Sequence, residues 1–105
     1  MPKFAIVYTG GQPPSTPEEG QQHMQKYQVW MAGLGERAVS PANPFKGTQT
    51  IAPDGSATAG SACQMSGFTI IEAEDMDQAL ADAKACPFLG IGGSLEVSEI
   101  MSMPF

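Results

Sequence analysis

The segment GFTIIEAEDMDQALADAKACP, Gly67–Pro87, joins a strand directly to a helix. Its first residues alternate between two faces, with Phe68, Ile70 and Glu72 on one side and Thr69 and Ile71 on the other. This period of two is typical of a β-strand. Asp75, followed by Gln78 three residues later, forms a capping box that predicts the start of a helix, and Pro87 ends it. The helix is predicted to bury one apolar stripe, formed by Met76, Ala79, Leu80 and Ala83.

The N-terminal third of the chain has the same order of strand and helix. The run KFAIVYT, Lys3–Thr9, is rich in β-forming residues and is followed by two glycines. Thr16 then provides a helix cap, with Pro17 at the first helical position and Glu19 three residues after the cap. This combination predicts a helix that begins at Pro17 and continues to about Leu34.

The middle of the chain has a weaker pattern. AVSPANPF contains two prolines and is therefore not a long central strand. Two short runs flank Asp54-Gly55, a dipeptide typical of a tight hairpin turn, and SLEVSEIM near the C-terminus reads as a last strand. The order β-α-β-β-α-β predicts one α+β domain over residues 1–105, with a ferredoxin-like antiparallel sheet and two helices on one face.

Composition restricts the classes of function. The apolar and charged fractions, 42% and 15%, indicate a folded chain, and the net charge of −6 with scattered lysines and arginines argues against nucleic acid as a partner. No apolar run approaches the roughly 20 residues of a membrane span, and the N-terminus has no signal-peptide pattern. These features predict a cytoplasmic protein without a membrane partner, in which Cys63 and Cys86 are free thiols.

The first helix contains the only histidine and the only tryptophan of the chain. His23, Tyr27, Trp30 and Leu34 recur at spacings of four, three and four, which places them on one helix face. His23 is the candidate catalytic residue, because imidazole titrates near neutral pH. The alternative is a half-buried structural histidine whose ring nitrogens bond to backbone or water, and the sequence leaves both interpretations open.

The other candidate site residues are those that could orient His23 or contact a ligand beside it. A general base needs an orienting or tuning partner, for which the candidates are Asp54 at the hairpin and Glu72 on the sheet. Ligand contacts are predicted for the side chains of Tyr27, Trp30, Ser61, Ser66 and Glu72. Such aromatics usually fill a core, however, and such serines usually form turns. The chain has no second histidine to pair with His23 in a zinc site and no complete dinucleotide fingerprint, so no metal and no cofactor are predicted.

Several segments together resemble the YCII-related family, particularly its branch named for a DGPF motif. The matching segments are TPEE..QHMQKYQVWMAGLGE, NPF, DGSATAG, GFTIIEAEDMDQALADAKACP and GGSLEV.EIM. They follow one another in the family's order and spacing over nearly the whole chain. The helix-one pattern and the block IIEAEDMDQALADAKACP are the most specific of them.

The resemblance implies a ferredoxin-like unit that pairs into a dimeric α+β barrel. It also implies a small bacterial protein with a site histidine on the first helix, which falls on His23, facing a cleft between helix and sheet. In the broader family this histidine is paired with an aspartate. A related enzyme eliminates chloride from a chlorinated hydroxyquinone, and members of the DGPF branch accompany extracytoplasmic-function sigma factors in genomes.

The chain departs from the family pattern at two places. Where the branch has TDGPF, this chain has TAGSA, so that the acid is replaced by Ala59, the proline by Ser61 and the phenylalanine by Ala62. Near the C-terminus, the usual arginine-proline pair is replaced by Ser98-Glu99. An acid and a cation of the family pattern are therefore absent.

Three hypotheses follow from the sequence. The first is a small enzyme in which His23 is the acid or base acting on a small aromatic or quinonoid substrate. The second is a non-catalytic dimeric module that binds a small ligand or has an accessory role. The third, by analogy of fold alone, is a cofactor-poor monooxygenase using His23 and Trp30. In each case a homodimer is expected through the open face of the sheet, because a chain of 105 residues has nothing else to cover that face.

Overall fold

The computed structural model describes residues 1–102, which form six strands, two α-helices and two short 3₁₀ turns. In chain order the elements are β1 (Lys3–Gly10), α1 (Pro17–Leu34), a 3₁₀ turn (Gly35–Arg37), β2 (Ala38–Pro44), β3 (Gln49–Ile51), β4 (Ala57–Ala59), β5 (Met65–Glu72), α2 (Met76–Lys84), a second 3₁₀ turn (Pro87–Ile91) and β6 (Gly93–Glu99). No helix in this part of the chain is long and apolar enough to cross a membrane.

Four strands form the main sheet, in the order β2-β5-β1-β6, with every neighbouring pair antiparallel. Ile6 at the centre of β1 lies opposite Thr69 of β5 on one side and Val97 of β6 on the other. Both helices pack on one face of this sheet. The predicted α+β, ferredoxin-like fold is therefore confirmed.

The core lies between the sheet and the helices. It is built from side chains of alternating residues of β1 and β5, one face of each helix and the second 3₁₀ turn: Phe4, Ile6, Tyr8, Tyr27, Trp30, Leu34, Ile71, Ala73, Ala79, Ala83, Cys86 and Phe88. Thr69 is the buried polar residue among them. Its hydroxyl is hydrogen-bonded to that of Tyr8, which satisfies both groups inside the core.

Both helices begin where the capping boxes predict. The Thr16 hydroxyl accepts a hydrogen bond from the backbone N–H of Glu19 at 3.2 Å, and the Glu19 carboxylate accepts one from the N–H of Ser15 at 2.9 Å. In α2, Asp75 accepts from the N–H of Gln78 at 2.9 Å. These bonds satisfy backbone donors that have no partner within the helix, and they fix the first turn of α1 next to His23.

The prediction of a buried apolar stripe on α2 is correct for two of its four residues. Ala79 and Ala83 are buried, with 0% and 4% of their surface exposed, whereas Met76 and Leu80 are 38% and 39% exposed. The two alanines have small side chains, so the helix lies close to the sheet along that line. Met76 and Leu80 lie at the margins of the contact, where solvent reaches them.

Strand β2 forms one edge of the sheet and contains Pro41 and Pro44. Its pairing with β5 shifts register twice. At the second shift the side-chain amide of Asn43 donates to the carbonyl of Phe68 at 3.2 Å and so links the two strands. The expectation that this segment is not a central strand is confirmed, because proline lacks the N–H that a central strand must donate.

Strands β3 and β4 form a separate two-stranded hairpin. Its turn is the predicted Asp54-Gly55 pair, and Gly55 has a φ of 91°, a left-handed conformation that favours glycine. The residues of both strands are exposed or half-exposed.

The face of the main sheet that turns away from the helices is partly apolar. Alternation along β1 and β5 places Ala5, Val7, Phe68 and Ile70 there, all half-exposed. The molecule is 18 Å thick along its shortest axis, which corresponds to one sheet and one helix layer, and no other element within residues 1–102 forms a layer on the other face.

Candidate functional site

His23 lies in the N-terminal half of α1 with its ring half-buried. The imidazole packs edge-on against the Tyr27 ring one turn later, at a centroid distance of 4.9 Å and an interplanar angle of 81°. Within residues 1–102 the imidazole has no hydrogen-bond partner. It borders two depressions of opposite character, one apolar and one polar.

The apolar depression is a cavity of about 240 Å³ between α1 and the sheet. Its walls come from five separate parts of the chain: Tyr8 of β1, His23, Met24, Tyr27 and Met31 of α1, Ala42 and Pro44 of β2, Ser66 of β5, and Phe88 of the second 3₁₀ turn. Tyr8 and Phe88 stack at a centroid distance of 4.9 Å. The stacked rings of Tyr8 and Phe88 and two flexible methionines of α1, Met24 and Met31, thus line the cavity together with the histidine.

Two glycines fix the position of the Phe88 ring. A Cβ at Gly93 would overlap the ring, and a Cβ at Gly11 would lie 2.7 Å from its Cζ atom. Only residues without a side chain let the backbone approach this closely. The glycine-rich LGIGG segment, read from the sequence simply as a loop, therefore shapes one wall of the cavity.

Hydroxyl groups beneath the cavity are satisfied within the protein. Tyr8 is bonded to Thr69, and the buried thiol of Cys86 donates to the Tyr27 hydroxyl at 3.8 Å. Burial is the main cause that raises the pKa of Tyr8, Tyr27 and Cys86. All three groups are therefore neutral near physiological pH, and none of them is a nucleophile or a base in its resting state.

The polar depression lies at the start of α1 and has a volume of about 490 Å³. Its lining comes from the loop before α1, the first turns of that helix and the loop before β6: Gln12, Pro13, Pro14, Ser15, Glu19, His23, Gly90, Ile91 and Gly92. Glu19 is the one carboxylate that shares either depression with His23 among the described residues, and it is held by the N–H of Ser15. Its spacing of four residues before His23 places the two side chains on one face of α1, which is the signal in the sequence for this pair.

The surroundings of His23 lower its pKa from the ordinary value of 6.5, first by partial burial and then by the positive charge of Lys26. At neutral pH the imidazole is therefore uncharged and offers a lone pair to accept a proton. Folding disfavours the imidazolium, so stability is retained above pH 6.5 and declines as the pH falls below it.

Lys26→Gln should raise the pKa of His23 towards 6.5, because it removes the positive charge that opposes protonation. An NMR titration of the imidazole Cε1 proton measures this directly. Lys84→Gln, on α2, is the matched control, since it changes the net charge equally at a different place. Equal shifts in both variants, or none in Lys26→Gln, would contradict the assignment of the effect to Lys26.

The structure brings some of the predicted residues to His23. Tyr27 and Ser66 line the apolar cavity with it. Trp30 does not: its indole N–H donates to the carbonyl of Asp82 at 3.0 Å, and its exposed edge belongs to a shallow groove on another side of α1. Trp30 therefore joins the two helices rather than facing the cavity.

Asp54, Ser61 and Glu72 lie elsewhere. Asp54 is at the hairpin turn, where bonds from Ser56 hold its carboxylate and lower its pKa. The Ser61 hydroxyl accepts from the N–H of Met65 at 3.1 Å. Glu72 is on the face of β5 opposite the buried Ile71, away from α1. The two acids expected to orient His23 therefore do not border its cavity.

Sequence reasoning did not identify Tyr8, Met24, Met31 or Phe88 as site residues. Tyr8 has a signal in the sequence, because it continues the alternation of Phe4 and Ile6 with a polar tip. Among residues 1–102 there is no cluster of three or more side chains of the types that bind metal.

The fold and the site define a small α+β protein with a histidine beside an apolar cavity between helix and sheet. The family model of the YCII-related domain matches residues 6–104. The chain belongs to the YCII-related family.

A solved structure shares this fold. It is that of 5-chloro-2-hydroxyhydroquinone dehydrochlorinase from Burkholderia phenoliruptrix AC1100 in complex with 2,5-dihydroxybenzoquinone. The TM-score is 0.58 at 18% sequence identity, and the alignment covers 94% of this chain and 93% of the other. No curated protein sequence matches the chain.

Proposed function

We propose that this protein binds a small aromatic or quinonoid molecule in the cavity between α1 and the sheet, and that His23 acts on it as an acid or base. The observation that carries the proposal is the neutral imidazole at the border of an apolar cavity of about 240 Å³. A structural neighbour that is named for its action on a chlorinated hydroxyhydroquinone, and that was solved with a dihydroxybenzoquinone, supports the choice of ligand class.

The size of the cavity favours a single ring. Drug-sized ligands occupy pockets of roughly 300–1,000 Å³, whereas an apolar cavity of about 150 Å³ holds benzene. A volume of about 240 Å³ accommodates one ring with a few small substituents. The Tyr8 and Phe88 rings offer a stacking surface for it, and the half-buried Ser66 hydroxyl offers a polar contact.

The proposed chemistry is proton transfer. An uncharged imidazole takes a proton from a ring hydroxyl, and the imidazolium returns it to the ring carbon that carries the chlorine, which gives the keto tautomer. Loss of a proton from a second ring hydroxyl then expels chloride with its bonding pair, so that the products are a quinone, chloride and a proton released to solvent. The polar depression at the start of α1 connects His23 to the outside for this purpose.

We further assign the chain to the DGPF branch, with a motif that has lost its acid. Thr58 and Gly60 remain, while Ala59 stands at the acidic position. Among residues 1–102, the lining of the cavity includes no acid that could orient His23. The second candidate is therefore a binding module without turnover, in which His23 only contacts the ligand.

Variants of His23 test the proposal with two compounds. Binding of 2,5-dihydroxybenzoquinone is followed by NMR, and chloride release is followed with 5-chloro-2-hydroxyhydroquinone. His23→Gln keeps a hydrogen-bonding group but cannot exchange a proton near neutral pH. We expect His23→Ala and His23→Gln to remain folded and to lower chloride release by at least roughly 100-fold, the usual size of a general acid–base contribution. Gln25→Ala, on another side of the same helix, should leave it unchanged.

The outcomes separate the candidates. Binding without chloride release in the unmodified protein supports the module. No binding of the quinone contradicts both candidates. A loss of about 1–3 kcal/mol in the free energy of unfolding for His23→Ala, recovered in His23→Gln, would make His23 a structural residue.

We also propose a homodimer formed through the open sheet face. Ala5, Val7, Phe68 and Ile70 give that face an apolar centre, and such a surface is normally covered. A two-fold axis would place the two open faces against each other, because symmetric dimers use the same surface twice.

The proposed location is the cytoplasm. Cys63 is exposed, Cys86 is buried, and both are free. Unpaired thiols are usual in a reducing compartment, where disulfides are rare.

A further inference from the structure

The hairpin of β3 and β4, with its flanking residues Thr48–Cys63, is called the arm below. Its strands are joined by internal hydrogen bonds: the N–H of Gly60 donates to the Thr48 carbonyl at 2.9 Å, and the Thr50 hydroxyl donates to the Gly60 carbonyl at 2.8 Å. At its C-terminal end, Ser61 accepts from the N–H groups of Gln64 and Met65, the residues that follow the arm. A two-stranded hairpin without a packed face is marginally stable in water. The arm therefore needs a surface to pack against.

The dimensions of the molecule show that this surface is not its own core. The radius of gyration is 15.1 Å, compared with roughly 13 Å for a compact domain of this length. The longest axis is 45 Å and the shortest is 18 Å. The exposure of the arm strands agrees with an element that extends from the body instead of folding onto it.

The surface of the arm combines a large exposed apolar side chain with little charge. Ile51 is 72% exposed, although isoleucine is among the residues most often buried. Asp54, at the tip, is the one charged residue between Thr48 and Cys63, in a chain with a net charge of −6. The centres of interfaces are depleted in charge, and two copies of an acidic chain repel each other least at such a surface.

The arm is continuous with the open sheet face. The chain leaves β2 at Phe45, whose ring packs on that of Phe68 at a centroid distance of 5.7 Å. Phe68 is on the open face, opposite Val7 of β1. The same apolar patch therefore extends from the centre of the sheet to the base of the arm.

The area of the sheet shows why the arm is needed. Four strands about 4.8 Å apart, each about seven residues long, cover roughly 19 by 23 Å, or about 440 Å². A stable interface buries about 800 Å² on each partner. The projected area of the open face is about half of this value, and the arm, which carries the exposed Ile51, is the neighbouring surface that adds to it.

We propose that the arm packs against the open sheet face of a second copy of this chain, with the Ile51 side chain buried in the contact. The inference rests on the proposed homodimer and adds to it the element that completes the interface. The occupant is a second copy because the arm and the patch lie on one molecule and are exchanged by a two-fold axis.

Sedimentation velocity over a dilution series tests whether the arm contributes to dimerisation. The unmodified protein should sediment as a dimer, with a mass of twice the 11.0 kDa of one chain. Ile51→Ser should weaken dimerisation at least about tenfold, because an apolar side chain of this size leaves the interface. Val29→Ser is the matched control: Val29 is 74% exposed on α1, so the loss of exposed apolar surface is similar at a place outside the interface.

Each outcome of this experiment either supports or overturns the role of the arm. Weaker dimerisation of Ile51→Ser, together with an unchanged dimer dissociation constant of Val29→Ser, supports the role of the arm in the dimer interface. A dimer equally strong in all three proteins, or equally weakened in both variants, overturns the role of the arm and leaves the dimer in place. If the unmodified protein is a monomer at every concentration, both the homodimer and the role of the arm are overturned. This result would leave the proposed ligand binding in the cavity untouched.

Discussion

Phe88→Ala is expected to lower the free energy of unfolding by about 3–5 kcal/mol, the usual cost of truncating a buried phenylalanine. Only 7% of Phe88 is exposed, and its ring stacks on Tyr8. Gly11 and Gly93 hold that ring by backbone contact, and backbone cannot move inward to refill the space. Chemical denaturation should show a lower midpoint, and the enlarged cavity should bind 2,5-dihydroxybenzoquinone more weakly because a stacking surface is lost.

Leu89→Ala is the control for this prediction. Leu89 is adjacent in sequence but 42% exposed, so its truncation should cost about 0.5 kcal/mol or less. A similar loss of stability in both variants would show that the whole 3₁₀ turn, rather than the Phe88 ring, is responsible. Unchanged quinone binding by Phe88→Ala would show that the ligand does not occupy this cavity.

Trp30→Ala should cost a comparable 3–5 kcal/mol. The indole is 8% exposed, packs edge-on against Tyr27 at a centroid distance of 5.9 Å, and donates to the Asp82 carbonyl of α2. Truncation removes both the packing and the bond between the helices. Denaturation followed by circular dichroism measures the loss.

Trp30→Phe separates the structural role of Trp30 from the ligand contact expected from the sequence. It keeps a ring but removes the N–H, so stability should fall by about 0.5–1.5 kcal/mol, with quinone binding unchanged. A large loss of binding with little loss of stability would restore Trp30 as a ligand contact.

The fold followed from local signals in the sequence. Thr16 and Asp75 predicted the first turns of both helices because a cap needs only residues that are three positions apart. The signal for the Asp54-Gly55 turn was equally local, because it consists of two adjacent residues. The exposure of Met76 and Leu80 was not predictable, because helical spacing identifies an apolar stripe but not how much of its width the sheet covers.

The site was only partly predictable. The position of His23 and Tyr27 on one face of α1 followed from their spacing, but the opposite walls come from Tyr8, Ser66 and Phe88. These residues are far apart in the chain and meet only after the sheet has formed. The separation of Asp54 and Glu72 from His23 has the same cause, since the strand register and the direction of the arm are tertiary features.

The prolines of β2 also restrict how the protein can associate. Pro41 and Pro44 provide no N–H, and the two register shifts bend the strand, so this rim of the sheet offers an incomplete row of donors to an incoming strand. Fibril growth by strand addition is therefore blocked on that side. The chain can keep an apolar, uncovered sheet surface for face-to-face pairing without also presenting a template for amyloid-like stacking there.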